Sequence, residues 1–254
     1  REPDRVPHNL RLVPELLDMV QREISTRDYA EHFGHDVRYV VHTLPPQPAG
    51  VPAVEWTPRP TPQDIARLQQ EVQALHERGL AVCGMYFMGV YEQAKDWIGD
   101  EDTMIGPYVD PAGFSRLLDR IVDWKCALYG AYAAAGVDIV WIGDDLGTQR
   151  SLVMSPDMYR QWYRPRHERI VSHIRAVRSG VKIAFHSCGH VTPLIPDLIE
   201  IGIDILEAVQ AECMDIVQLK RQFGRDITFW GGVGAQSVLA RTTPAQVMEG
   251  VRRT

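Results

Sequence analysis

A chain of 254 residues, 45% hydrophobic and 24% charged, can bury a large core and is read as one domain spanning residues 1–254. Its net charge of -6 offers no basic stripe for a phosphate backbone or an anionic bilayer, which argues against nucleic acid and membrane surfaces as partners. No apolar run approaches the roughly 20 residues of a membrane span, and the opening REPDRVPHNL lacks the apolar core of a secretory signal, so a cytoplasmic location is expected.

Residues 5–10 alternate loosely and are expected to form a first strand, followed by a helix over 14–24 with Leu16, Leu17, Val20 and Ile24 at helical spacing. Ser25 or Thr26 is placed to cap a short second helix. Asp36 then leads into a β-branched and aromatic run, 37–43, read as a second strand. Seven prolines between Pro45 and Pro62 make the next segment an extended excursion. Thr61 caps a helix through His76, with Ile65, Leu68, Val72 and Leu75 on one face, and residues 81–87 form a third strand. Short helices and loops are expected over 89–107. A long helix follows over 110–135, with Phe114, Leu118, Ile121, Val122 and Leu128 in its buried stripe and Gly136 as its stop. Residues 137–142 are almost wholly apolar, as befits a parallel strand covered on both faces.

The next segment, GDDLGTQR at 143–150, carries more carboxylates and glycines than a connection needs, although a capped turn accounts for the same residues. Ser155, Pro156 and Asp157 start a helix that runs to residue 178. Residues 182–188 then read as a fifth strand, with His186 and Cys188 at i, i+2 on one face. An imidazole and a thiolate at a strand end are ligands that zinc prefers. The commoner fate of these residue types is a hydrogen-bonded strand-end histidine and a small buried apolar cysteine. Pro193 and Pro196 open a helix stopped by Gly202, 203–209 is a sixth strand, 214–223 a helix, 227–230 a seventh strand and 244–252 the last helix. The four cysteines, Cys83, Cys126, Cys188 and Cys213, form no CxxC pair and are read singly.

Strands alternating with helices throughout predict parallel βα units. Seven strand signals and no eighth predict an α/β chain with a (β/α)8 TIM barrel that lacks its last βα unit, and an open edge beside the first strand. A doubly wound sheet is the alternative, but its GxGxxG fingerprint is absent after the first strand. Residues suited to a site gather after the strands, where such barrels place their chemistry: Tyr86, Asp144, Asp145, His186, Cys188, Glu207, Gln210 and Gly231.

EPDRVP at the amino end, GDDLGTQRSLVMSPDMYRQWYRPR at 143–166, HSCGHVTPLIPDLIEIGIDILEAVQ at 186–210 and LKRQFGRDITFWGGVGAQ at 219–236 together resemble the uroporphyrinogen decarboxylase superfamily. That group of TIM barrels includes porphyrinogen decarboxylases and corrinoid-dependent methyltransferases. The HSCG element is similar to the methyltransferase branch, and the resemblance implies that His186 and Cys188 are zinc ligands and the catalytic pair. It implies methyl transfer between a corrinoid, free or held on a corrinoid protein, and a small-molecule thiol acceptor, with Tyr86, Asp144, Asp145, Gln149, Glu207 and Gln210 lining the substrate pocket. The late cysteine of that branch has no counterpart here; Cys213, Cys83 and Glu207 are the in-chain candidates for a third ligand. Uroporphyrinogen decarboxylation is the alternative activity, with Asp144 or Asp145 standing in for a catalytic aspartate, because Asp36 falls before its strand and the arginine-rich motif RQAGR is absent. A non-catalytic barrel that binds a tetrapyrrole or corrinoid is a third reading.

Overall fold

The computed structural model describes residues 14–24, 28–240 and 243–253. The strand expected over 5–10 and the Ser25 or Thr26 cap lie outside the described residues. Among these residues, six strands form one sheet: β1 (Val37–Val40), β2 (Ala81–Tyr86), β3 (Ile139–Gly143), β4 (Lys182–His186), β5 (Ile205–Ala208) and β6 (Thr228–Gly231). They lie side by side in sequence order, every neighbouring pair parallel. The sheet curls, because Tyr39 of one edge strand stacks on Trp230 of the other with ring centroids 6.4 Å apart.

Both faces are covered, which explains the unbroken apolar runs. On the outer face Val40, Val82, Val140, Ile183, Phe185 and Leu206 pack against the helices. On the inner face Cys83, Trp141 and Ala184 form the buried floor of the curl, with Tyr39, Met85 and Ile205 beside them. Parallel strands need crossovers, and the helices provide them: α1 (Pro14–Glu23) and α2 (Tyr29–His32) precede β1, and α3 (Pro62–Glu77) joins β1 to β2. α4 (Tyr91–Ile98), α5 (Asp100–Val109) and α6 (Pro111–Ala135) lead to β3; α7 (Pro156–Met158) and α8 (Arg164–Val177) lead to β4. α9 (Ile195–Glu200), α10 (Ile216–Phe223) and α11 (Pro244–Arg253) complete the set. Leu118, Ile121 and Val122 of α6 are fully buried, and each contributes about 1.5–3 kcal/mol through removal from water. That helix is the main brace of the sheet.

The expected helix start at Thr61 is a full capping box with Asp64. Asp28 caps α2 by accepting from Glu31 N–H. The proline-rich stretch is extended apart from one 3-10 turn at Ala53–Glu55. The 89–107 segment is more helical than expected, since α5 continues through Pro107. A π-helical turn, Tyr159–Tyr163, interrupts the helix between α7 and α8. No helix among the described residues is long and apolar enough to cross a membrane.

Candidate metal centre

β4 places Ile183 and Phe185 against the helices, so Ala184 and His186 face the inside of the curl. In register, His186 lies between Gly143 of β3 and Glu207 of β5. Its Nδ1 and Glu207 Oε2 are 2.5 Å apart, and Trp141 Nε1–H donates to that same oxygen at 2.9 Å. A carboxylate accepting at Nδ1 puts the proton there and leaves Nε2 as the ring nitrogen with a lone pair to offer a cation. Nε2 points to Asp145 Oδ1 at 3.4 Å and Cys188 Sγ at 3.6 Å. Ligand atoms of Asp145, His186 and Cys188 all lie within 4.8 Å of one another. Oxygen, nitrogen and sulfur donors thus converge at the carboxyl ends of the strands.

The cluster is anionic in character. Burial alone favours a neutral His186, but its hydrogen bonds to Asp145, Cys188 and Glu207 outweigh that and raise its pKa to about 11. Burial opposes the charge on Asp145 as well, yet hydrogen bonds from His186 and the Cys188 N–H hold its carboxyl below the usual carboxylate range. A cation and a proton compete for the same lone pair. Metal uptake is therefore expected to release protons, read by calorimetry as a binding enthalpy that changes with the ionisation heat of the buffer; a buffer-independent enthalpy would contradict this.

Two loops hold the cluster, and glycines let them interlock. A Cβ on Gly189, which has φ +78°, would sit 2.5 Å from the Gly147 carbonyl; one on Gly147 would sit 2.6 Å from the Cys188 carbonyl. No side chain fits between backbones so close. His190 N–H donates to Thr148 O at 2.8 Å, Leu146 N–H to Ser187 Oγ at 2.9 Å, and Cys188 N–H to Asp145 Oδ1 at 2.8 Å. Gly189→Ala is expected to part the loops and weaken metal binding about 10-fold or more, while the sheet stays folded. Wild-type affinity in that variant would refute the interlock.

The structure brings together most of the residues singled out from sequence. Gln210 accepts from Gly189 N–H at 3.0 Å, beside the cluster. Gln149 meets Cys213, whose thiol donates to its side-chain oxygen at 3.3 Å. Two residues fall elsewhere. Tyr86 follows Met85 on β2, so it faces outward, under Lys125 Nζ at 3.9 Å from its ring centre, and burial raises its pKa to about 12. Asp144 is 0% exposed behind the sheet, accepting from Val90 N–H, Glu92 N–H and His167 Nε2. Neither reaches the mouth. Of the third-ligand candidates, Cys83 is buried in the floor, Glu207 orients His186 and the Cys213 thiol donates to Gln149; Asp145, which was not among them, is the residue that meets both other donors.

Sequence reasoning passed over Trp141 and Phe87. Trp141 lies 4.8 Å from the His186 ring, and Phe87, 56% exposed, lies 5.8 Å from Trp141 and 6.4 Å from His186 between ring centres. A tryptophan inside an apolar strand reads as core, and only the register shows it to be the rung below the histidine. It missed Lys125 too, whose Nζ is wholly buried, bonded to Gln93 Oε1 at 2.6 Å, with a pKa pushed well down by burial.

The fold and site define a parallel βα protein of the curled-sheet type with a cluster of nitrogen, sulfur and oxygen donors at the carboxyl ends of its strands. Residues 94–254, well over half of the chain, match the family Uroporphyrinogen decarboxylase (URO-D), and the chain belongs to that family. A solved structure of a methyltransferase from Methanosarcina mazei is similar in fold, with a TM-score of 0.57 at 19% identity. The likeness covers 72% of this chain and 55% of that one, so this chain spans little more than half the length of that neighbour. A search among curated proteins found no match.

Proposed function

We propose that this chain is a zinc-dependent methyltransferase of the uroporphyrinogen decarboxylase superfamily, moving a methyl group between a corrinoid and a thiol acceptor. The observation that carries the reading is the convergence of Asp145, His186 and Cys188, a mixed donor set that suits zinc, with the His186 tautomer fixed by Glu207. Three protein ligands leave a place for a substrate atom, the pattern of catalytic rather than structural zinc sites. Zinc bound there supplies the Lewis acidity that turns an acceptor thiol into a thiolate at neutral pH.

The chain's own groups do the rest. Glu207 and Trp141 keep the imidazole aimed, and the Gln210 and Gln149 amides are placed to orient the acceptor. Phe87 offers apolar surface at the mouth, against which a corrinoid, free or held on a corrinoid protein, would rest. The test is transfer from methylcobalamin to a panel of small thiols by zinc-loaded protein. Thiol-dependent consumption of methylcobalamin with an S-methyl product, abolished in Cys188→Ser, is the expected result. Corrinoid binding without turnover would instead favour the non-catalytic barrel.

Decarboxylation of uroporphyrinogen is not expected. Asp36 lies before β1, at the end of the sheet opposite the cluster, where its carbonyl accepts from Ala81 N–H. Asp144 is sealed away from substrate. Incubation with uroporphyrinogen and separation of the products should reveal no four-carboxylate porphyrinogen; its rapid appearance would reverse the ranking of the two activities.

A further inference from the structure

Asp144 and Asp145 are consecutive, yet the loop sends them to opposite sides. Asp145 faces the donor cluster, while the Asp144 carboxylate is buried among the helices. Asp144 Oδ2 accepts from Val90 N–H at 2.8 Å and from His167 Nε2 at 2.7 Å, and Oδ1 accepts from Glu92 N–H at 2.9 Å. His167, on α8, is itself fully buried, and its Nδ1 lies 3.3 Å from the Tyr159 hydroxyl. With Nε2–H donated to the carboxylate, Nδ1 accepts from Tyr159 O–H, and both ring nitrogens are satisfied. The chain of bonds returns to the site through the backbone, where Asp144 N–H donates to the His186 carbonyl at 3.0 Å. Tyr159 opens the π-helical turn, a local insertion that places its hydroxyl over His167.

We propose that Tyr159, His167 and Asp144 act as a positioning relay for the metal centre. The inference rests on the metal-centre reading above. A carboxylate holding three hydrogen bonds in a dry interior has one orientation, because losing any of them strands a buried polar group. Locking Asp144 outward holds Asp145 toward the cluster, and the bond to the His186 carbonyl fixes the strand end that carries the imidazole. A merely architectural triad would change the melting temperature alone. A relay changes how tightly and in what geometry a metal is held.

Cobalt(II) titration of the full chain reads both, through affinity and through the visible spectrum with its thiolate charge-transfer band. Binding by wild type that His186→Ala abolishes sets the baseline. His167→Leu is expected to weaken cobalt about 10-fold and alter the spectrum, Tyr159→Phe to do so by a smaller factor, and His167→Gln, whose amide can donate to Asp144, to recover most of the loss. Thermal melts establish which variants are folded at the titration temperature. Should His167→Leu not fold, Tyr159→Phe, which removes a single hydroxyl, decides alone. Wild-type affinity and spectrum in the folded variants would overturn the relay and leave the metal centre standing. No cobalt uptake by wild type, or undiminished uptake by His186→Ala, would overturn both.

Discussion

Asp144→Ala is expected to destabilise the protein by about 3–5 kcal/mol, because it strands three buried hydrogen-bond donors, each costing about 1–3 kcal/mol when unmet and partly relieved as the site relaxes. The substitution leaves the Val90 and Glu92 N–H groups and His167 Nε2 facing a void in a region from which water is excluded. In a domain of this size, that corresponds to a fall in melting temperature of roughly 10 °C. Asp144→Asn keeps the shape and one strong acceptor, so it should cost less. Equal melting temperatures for wild type and Asp144→Ala would show that the buried carboxylate holds nothing together.

The second large effect falls on metal. His186→Ala and Cys188→Ser each remove one of three donors and are expected to lower zinc affinity at least about 100-fold, beyond the usual cost of an altered outer shell. Serine is nearly the size of cysteine but a much poorer zinc ligand, and Cys188 is exposed, so the fold should survive. Cys126→Ser is the control, because Cys126 is buried among the helices, away from the cluster. Its zinc content should equal that of wild type; a comparable loss there would mean that the substitutions act through folding.

The order and type of the elements could be read from the chain because two-sided burial leaves apolar runs and helices leave caps. Strand ends could not. The run 37–43 pairs only over Val37–Val40, since Val41 turns outward to solvent and carries no mark of doing so. His186 and Cys188 were legible as a pair by spacing, although the strand expected over 182–188 stops at His186 and Cys188 lies in the loop just beyond it. Asp145, the third donor, comes from a loop 41 residues before His186 in sequence (186 − 145), and nothing local distinguishes it from its neighbour Asp144. Only the packing of α4 and α8 tells the two carboxylates apart. Tyr86 was misplaced for a related reason: an all-apolar parallel strand shows no alternation, so its inner face has to be seen. Lys125 is enclosed by Tyr86, Trp124 and Gln93, and a lysine in a long helix carries no local mark of such burial.

Zinc K-edge absorption of the zinc-loaded full chain tests the metal centre most directly. One zinc per chain is expected, with a single sulfur neighbour at about 2.3 Å and nitrogen or oxygen neighbours at about 2.0–2.2 Å, the sulfur being lost in Cys188→Ser. A chain that takes up no zinc, or a zinc shell without sulfur in the wild type, would contradict it.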